Sequence, residues 1–411
     1  MEKIRVLFVD DVQNILDGLK RMLRPMRGEW ELLFASSGKE ALKIMEEQPV
    51  DVIISDMKMP GMDGAQLLTE TMNLYPGTVR IILSAHSDME LAIKTVLPAH
   101  QYLSKPCTSE QIKQVIKNIV REQKLLKDKM LKSVISKISS FPALSETYNQ
   151  LSKELTSSEP SMSKIGEIIS RDVGICAKIL KLVNSSFFGF CRNISSPEQA
   201  TSLLGLKVMR ALVLSIQVFS IYDFSKVPGF SLKNLWEHSL ASARLSEKLG
   251  RIEGLTKTEI DDCYIAGLMH DVGKLVLASE LPEQYNEILG LVRKNNRPVY
   301  EVEKEIMGTS HAEVGAYLMG VWGLPDGVIN GLALHHAPEL SEGKFNSATA
   351  VYAANILERK YYIINTEYHV PEFDMEYLSK MSLTGRLSVW EELALTEGRA
   401  NMKDSENLTD S

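Results

Sequence analysis

The chain of 411 residues lacks any cysteine rhythm. Its four cysteines, Cys107, Cys176, Cys191 and Cys263, form no CxxC pair and no evenly spaced framework. That excludes a disulfide-stapled secreted scaffold and leads us to expect reduced thiols in a cytoplasmic protein. Long hydrophobic runs are missing too: the longest, 211–222, is interrupted by Ser215, Gln217 and Ser220 and is too short to span a bilayer. The opening MEKIRVLFVDD runs straight into a strand-like segment with no signal-peptide core, so no membrane partner is expected. Positive charge is in deficit, with 46 Lys and Arg against 53 Asp and Glu and a net charge of −7. Nucleic acid is therefore not expected as the main partner, since phosphate binding needs a concentrated basic surface. No fixed-period repeat is present, which excludes a solenoid. What remains is an ordinary folded composition, 44% hydrophobic and 24% charged. At roughly 150 residues per domain, the length implies two or three domains. Five of the eight histidines fall between positions 238 and 336.

The first ~120 residues alternate strand-length apolar runs with amphipathic stretches. The runs lie at 4–9, 30–35, 50–55, 78–85 and 100–104, and helix-like segments lie between them at 14–23, 38–47, 64–74 and 88–96. Such alternation predicts a five-stranded parallel sheet covered on both faces, with ligands collecting at the carboxyl ends of the strands. A helical stretch follows from Ser109 to about Lys137, and its second half is basic and reads as a solvated connecting helix. From 138 to about 390 the periodicity is helical, as in 162–186, 232–250 and 259–278, with almost no alternating strands. The final ~15 residues are polar and are expected to be disordered.

Five residues suited to one chemistry fall at successive strand ends. Asp10 and Asp11 end the first strand, Asp56 the third and Ser84 the fourth, and Lys105 follows the fifth. Clustered carboxylates repel one another unless a hard dication joins them, and oxygen ligands at an open edge suit Mg²⁺. A carboxylate can attack phosphorus, with Ser84 and Lys105 holding the phosphoryl oxygens. Together with DMKMPGMDG after Asp56 and YLSKP around Lys105, the pattern resembles a response-regulator receiver domain of flavodoxin-like fold. That resemblance implies Asp56 as phospho-acceptor and Asp10, Asp11, Asp56 and the Lys58 carbonyl as Mg²⁺ ligands. It implies Ser84 and Lys105 as phosphoryl contacts, and Ser84 with Tyr102 as the switch pair. The one departure is Pro98, where Gly is more frequent.

The second chemical feature is the histidine group. His270 and Asp271 sit in LMHDVGKL, read as one apolar helix, and His238 lies in WEHSL. His311 opens HAEVGAYLMG, and His335 and His336 end the helix that begins at Pro325. Several imidazoles and a carboxylate gathered from different helices suit Zn²⁺, Mn²⁺ or Fe, while helix dipoles alone also favour a His at a helix C-terminus. HDVGK with the other histidines resembles the HD superfamily of metal-dependent phosphohydrolases, whose HD-GYP branch cleaves cyclic di-GMP. Against that activity, Asn355 stands where a further metal-binding Asp is usual. Asn234 stands where those enzymes use Glu, and the GYP signature is missing. FPAL (141–144), 168–189, 194–214, 308–325, LHHAPE and YAANIL are instead similar to the HDOD domain, with Val173 in place of a frequent Pro. That branch implies an all-α signalling module without demonstrated catalysis.

The expectation is therefore a receiver at 1–122, a helical linker at 123–137, an all-α HDOD domain at 138–395 and a tail at 396–411. The expected partners are a sensor histidine kinase and a downstream protein. A homodimer through the receiver or the linker stays open, since no clear heptad encodes one. The competing expectation is a phosphorylation-gated metal phosphohydrolase acting on a cyclic dinucleotide or another nucleotide.

Overall fold

The structure is a computed structural model that describes residues 3–85, 98–123, 135, 145–155, 157, 159–184, 194–216, 226–341, 344–361 and 371–397. The expected helix at 88–96, nearly all of the basic linker, FPAL and the tail beyond 397 lie outside the described residues. The fold groups into two compact units. One is Met1–Ser220 with Tyr317–Leu324, and the other is Ile221–Ala316 with Pro325–Ser411.

The first unit contains a five-stranded sheet of β1 (Ile4–Val9), β2 (Trp30–Ala35), β3 (Val52–Asp56), β4 (Val79–Ala85) and β5 (Gln101–Lys105). The spatial order is β2-β1-β3-β4-β5 and every pairing is parallel. Val6, Leu7, Phe8, Val52, Ile53 and Ile54 are fully buried, as strands covered on both faces require. Two of the helices between strands start where a short polar side chain caps them. Ser37 accepts from the Glu40 amide ahead of Gly38–Glu47, and Asp63 forms a capping box with Gln66 ahead of Gly64–Leu74. Gly64 is required by close approach, because a Cβ there would stand 2.1 Å from the Asp56 carbonyl oxygen.

The stretch 162–186 is not one helix. It divides into Met162–Ser170 and Val173–Val183, because the buried Asp172 accepts from the Ile175 amide at 2.9 Å and starts a new helix. Val173 occupies the first helical position, where Pro is tolerated without being needed. Within the same unit Gln101 Nε2 donates to the Val321 carbonyl at 2.9 Å, and Lys181 Nζ lies 4.6 Å from the centre of the Trp322 ring.

The second unit is helical among its described residues. Leu232–Ile252, Lys257–Met269 and Ser347–Tyr361 pack together, joined by Val272–Glu280, Pro282–Asn295, Val299–Met307 and Asp326–Leu334. A subsidiary core of Leu245, Leu249, Tyr352, Leu357, Tyr377 and Trp390 fixes the C-terminal segment. Among the described residues, no helix is long and apolar enough to cross a membrane.

Candidate functional site

Adjacent parallel strands bring the acidic residues to one edge. Asp10 follows β1, Asp56 ends β3, and Lys105 ends β5 opposite Ala85 of β4. Lys105 Nζ stands 2.7 Å from Asp10 Oδ2 and 2.5 Å from Asp56 Oδ1, so one ammonium bridges two carboxylates. The second oxygen of each is held by backbone: Val12 N donates to Asp10 Oδ1 at 3.0 Å, and Lys58 N to Asp56 Oδ2 at 3.2 Å. Burial raises the Asp56 carboxyl above its ordinary pKa against the opposing pull of Lys105. Lys105 is itself raised: burial works against its charge, and the two carboxylates more than restore it. Asp11 is exposed beside this pair, which leaves an all-oxygen donor set of the kind a hard dication prefers. Ser84 is the penultimate residue of β4, with its backbone paired opposite Ser104; its side chain lies outside the described set. Tyr102 is buried in the sheet core at 1% exposure.

In the second unit all six residues of the histidine group converge. His270 and Asp271 are not within one helix, as expected from the sequence. They form the junction between Lys257–Met269 and Val272–Glu280, with His270 ending the first and Asp271 preceding the second. The junction lets both side chains point the same way. His238, His270 and Asp271 form one triad of ligand-type atoms, and His311, His335 and His336 another. Asp271 connects them, with Oδ2 3.5 Å from His238 Nε2 and Oδ1 3.2 Å from His311 Nε2. Lys274 Nζ reaches Asp271 Oδ2 at 2.6 Å. Burial would raise the Asp271 carboxyl, but Lys274, His270 and His311 hold it well below the usual range. Burial pushes His270 down to about 3 and His335 well below the ordinary imidazole value.

Two participants carry no motif. Glu358 Oε2 lies 2.6 Å from His238 Nδ1, and Glu303 Oε2 lies 2.5 Å from His311 Nδ1. Both are buried, at 1% and 0% exposure. Glu303 had a legible signal, since it follows the apolar-face residues Val299 and Val302 at helical spacing, where a carboxylate needs a partner. Glu358 had none, because its helix is buried all round from Ser347 to Glu358. Asn355 accepts from Arg359 Nε at 3.0 Å, so its amide oxygen is engaged within its own helix. Asn234 is half-buried in the first turn of the His238 helix. Beside the cluster, Lys274, Tyr300, His311, His336, Asn355 and Arg359 help line a cavity of about 30 Å³. Tyr300 stacks on His336 with ring centres 4.2 Å apart.

Comparison with known proteins agrees with both halves. The family model described as "Response regulator receiver domain" matches residues 6–117, and that described as "HDOD domain" matches 141–338. An uncharacterized protein of Treponema pallidum is 28% identical over 215 residues, 51% of this chain and 41% of its own length. The hydrogenase transcriptional regulatory protein HoxA of Cupriavidus necator is 36% identical over 125 residues, 30% of this chain and 25% of that one. This chain thus spans less than half the length of either relative. Among solved structures, the MmoQ response regulator of Methylococcus capsulatus is 23% identical. The match covers 61% of this chain and 98% of that one at a TM-score of 0.48. The chain carries a response-regulator receiver domain at 6–117 followed by an HDOD domain at 141–338, and this is the domain architecture of a response regulator.

Proposed function

We propose that Asp56 accepts a phosphoryl group from a sensor histidine kinase, and that this event switches the protein–protein interactions of a non-catalytic HDOD domain. The observation that carries the first half is Lys105, whose ammonium joins Asp10 and Asp56 at the sheet edge. In this reading an Asp56 carboxylate oxygen bonds to phosphorus while the bond to the donor imidazole breaks, and the donor leaves with the electron pair. Lys105 then transfers its hydrogen bonds from the carboxylate to a phosphoryl oxygen, and Ser84 takes another. Asp10, Asp11, Asp56 and the Lys58 carbonyl are the residues that would hold Mg²⁺, which when bound supplies charge neutralisation at the phosphoryl group. The product carries about −1.5 to −2 charge in place of one carboxylate. That change at the end of β3 biases the region of Ser84 and Tyr102, the expected switch pair.

The small cavity and the engaged Asn355 support a non-catalytic reading of the HDOD domain. A cavity of about 30 Å³ admits water, whereas small-molecule sites run to roughly 300–1,000 Å³. A second reading, a metal phosphohydrolase acting on a nucleotide, is favoured by the convergence of five histidines and Asp271. Zn²⁺, Mn²⁺ or Fe would be its metal, held by His238, His270, Asp271, His311, His335 and His336. Capture of partners by full-length protein, with and without phosphodonor treatment, tests the first reading. Partner sets that differ between wild type and Asp56→Asn only after treatment are expected. Identical sets in every state would remove the switching claim. Turnover of a cyclic dinucleotide by metal-loaded protein, lost in His270→Ala, would replace it with the second reading.

A further inference from the structure

Four histidines of the cluster have Nδ1 against an atom that accepts hydrogen bonds. His238 Nδ1 lies 2.6 Å from Glu358 Oε2, and His311 Nδ1 lies 2.5 Å from Glu303 Oε2. His270 Nδ1 lies 2.7 Å from the Gly267 carbonyl, and His335 Nδ1 lies 2.7 Å from the Leu332 carbonyl. Carbonyls and ionised carboxylates only accept, so the partners assign the ring hydrogen to Nδ1 in all four. A neutral ring of that tautomer presents Nε2 as a bare lone pair. Two of these lone pairs meet, with His238 Nε2 3.1 Å from His270 Nε2, while His311 Nε2 lies 3.0 Å from His336 Nε2 and 3.2 Å from Asp271 Oδ1. Two acceptors at that separation repel unless they share a cation. Around them His335 Nε2, Glu303 Oε1 and Glu358 Oε1 are buried with no hydrogen-bond partner among the described residues. Leaving a buried polar atom unsatisfied is costly, so three at one place need a reason.

We infer that Glu303 and Glu358 are positioning residues that lock His311 and His238 with Nε2 turned into the cluster, so that it is preorganised for a borderline divalent cation such as Zn²⁺. This rests on the metal-binding part of the second reading above. It deepens that reading by adding the two carboxylates that the sequence comparison with HD enzymes did not supply. The carboxylates missing at 234 and 355 are offset by two that act through the imidazoles, raising ligand basicity in place of adding ligands. The same geometry explains why both glutamates tolerate full burial: each pairs with an imidazole N–H through one oxygen.

The test uses chelator-stripped full-length protein titrated with Zn²⁺, with Co²⁺ as the spectroscopic probe. Wild type, Glu303→Gln and Glu358→Gln are compared. The amide keeps an accepting oxygen and loses the charge, so the fold is kept while ligand basicity falls. Stoichiometric binding by wild type is expected, with affinity about 10–100-fold weaker in each variant. The Co²⁺ absorption bands are expected to shift in each variant, which a purely structural role would not produce. Side-chain ¹⁵N NMR of the metal-free wild type is expected to show His238 and His311 with hydrogen on Nδ1 alone, and this holds as evidence even where a variant fails to fold. The proposal is overturned by doubly protonated rings at neutral pH without stoichiometric metal, since a shared proton would then be the cation. It is also overturned if both variants bind Zn²⁺ as wild type does. Phosphorylation of Asp56 is read by a separate measurement, so failure here leaves the response-regulator reading standing.

Discussion

Lys105 satisfies Asp10 and Asp56 at once, yet Asp56 remains harder to ionise than a free carboxyl because it is largely removed from water. The folded state therefore holds the Asp56 proton more tightly than the unfolded chain does. Stability falls as pH rises from the unfolded value near ~3.9 through the folded value, and the loss is complete above it. Asp56→Asn is expected to raise the thermal midpoint of metal-free protein at pH 7, with the gain vanishing below about pH 4, in paired melts. Lys181 presents the opposite charge. Burial, then Arg80 and Lys178, push it down to about 7 from 10.5, and among the described residues its side-chain nitrogen has no hydrogen-bond partner and lies over the face of Trp322. Here the unfolded chain keeps its proton up to 10.5 while the folded one has lost it above about 7, so wild-type stability rises with pH across that window. Each unit of depression is worth about 1.4 kcal/mol, so Lys181→Met is expected to be more stable than wild type at pH 7 and to flatten this rise. Denaturant titrations at pH 7 and 9 check it, and a slope unchanged in Lys181→Met would contradict it.

At the scale of elements, the strands and the helices at 14–23, 38–47 and 64–74 were legible because a parallel sheet writes short apolar runs between amphipathic ones. The observed strands fall within two residues of the expected limits. Helix breaks were less legible. The run 259–278 is apolar on both sides of His270–Asp271 and contains no proline there, so periodicity cannot reveal that two helices meet. The signal that marks the junction is Gly273, where a Cβ would stand 2.0 Å from the His311 carbonyl oxygen. That contact brings the start of Val272–Glu280 against the start of the His311 helix, and so places Asp271 beside His311. Gly273→Ala is expected to destabilise the protein by about 1–3 kcal/mol through overpacking, and to weaken metal binding in the same variant. Full stability in Gly273→Ala would show that the two helices need no such approach. Glu358 lies on a helix buried on every side from Ser347 onward, so only the fold pairs it with His238.

At the scale of the whole molecule, two chemistries of opposite kind share one chain. The receiver presents an open, oxygen-rich edge, and the HDOD domain encloses a nitrogen-rich side-chain cluster among helices. The acidic net charge spoke against nucleic acid and said nothing of either site. The proposed roles of both sites rest on a few residues at strand ends and helix ends, where the backbone turns and side chains can meet. The central claim is that Asp56 is the phospho-acceptor. Its most direct test is the intact mass of the full-length chain after incubation with a small-molecule phosphodonor and Mg²⁺. The account predicts a gain of about 80 Da in wild type, the mass of one phosphoryl group, and no gain in Asp56→Asn. No gain in wild type, or an equal gain in Asp56→Asn, would contradict it.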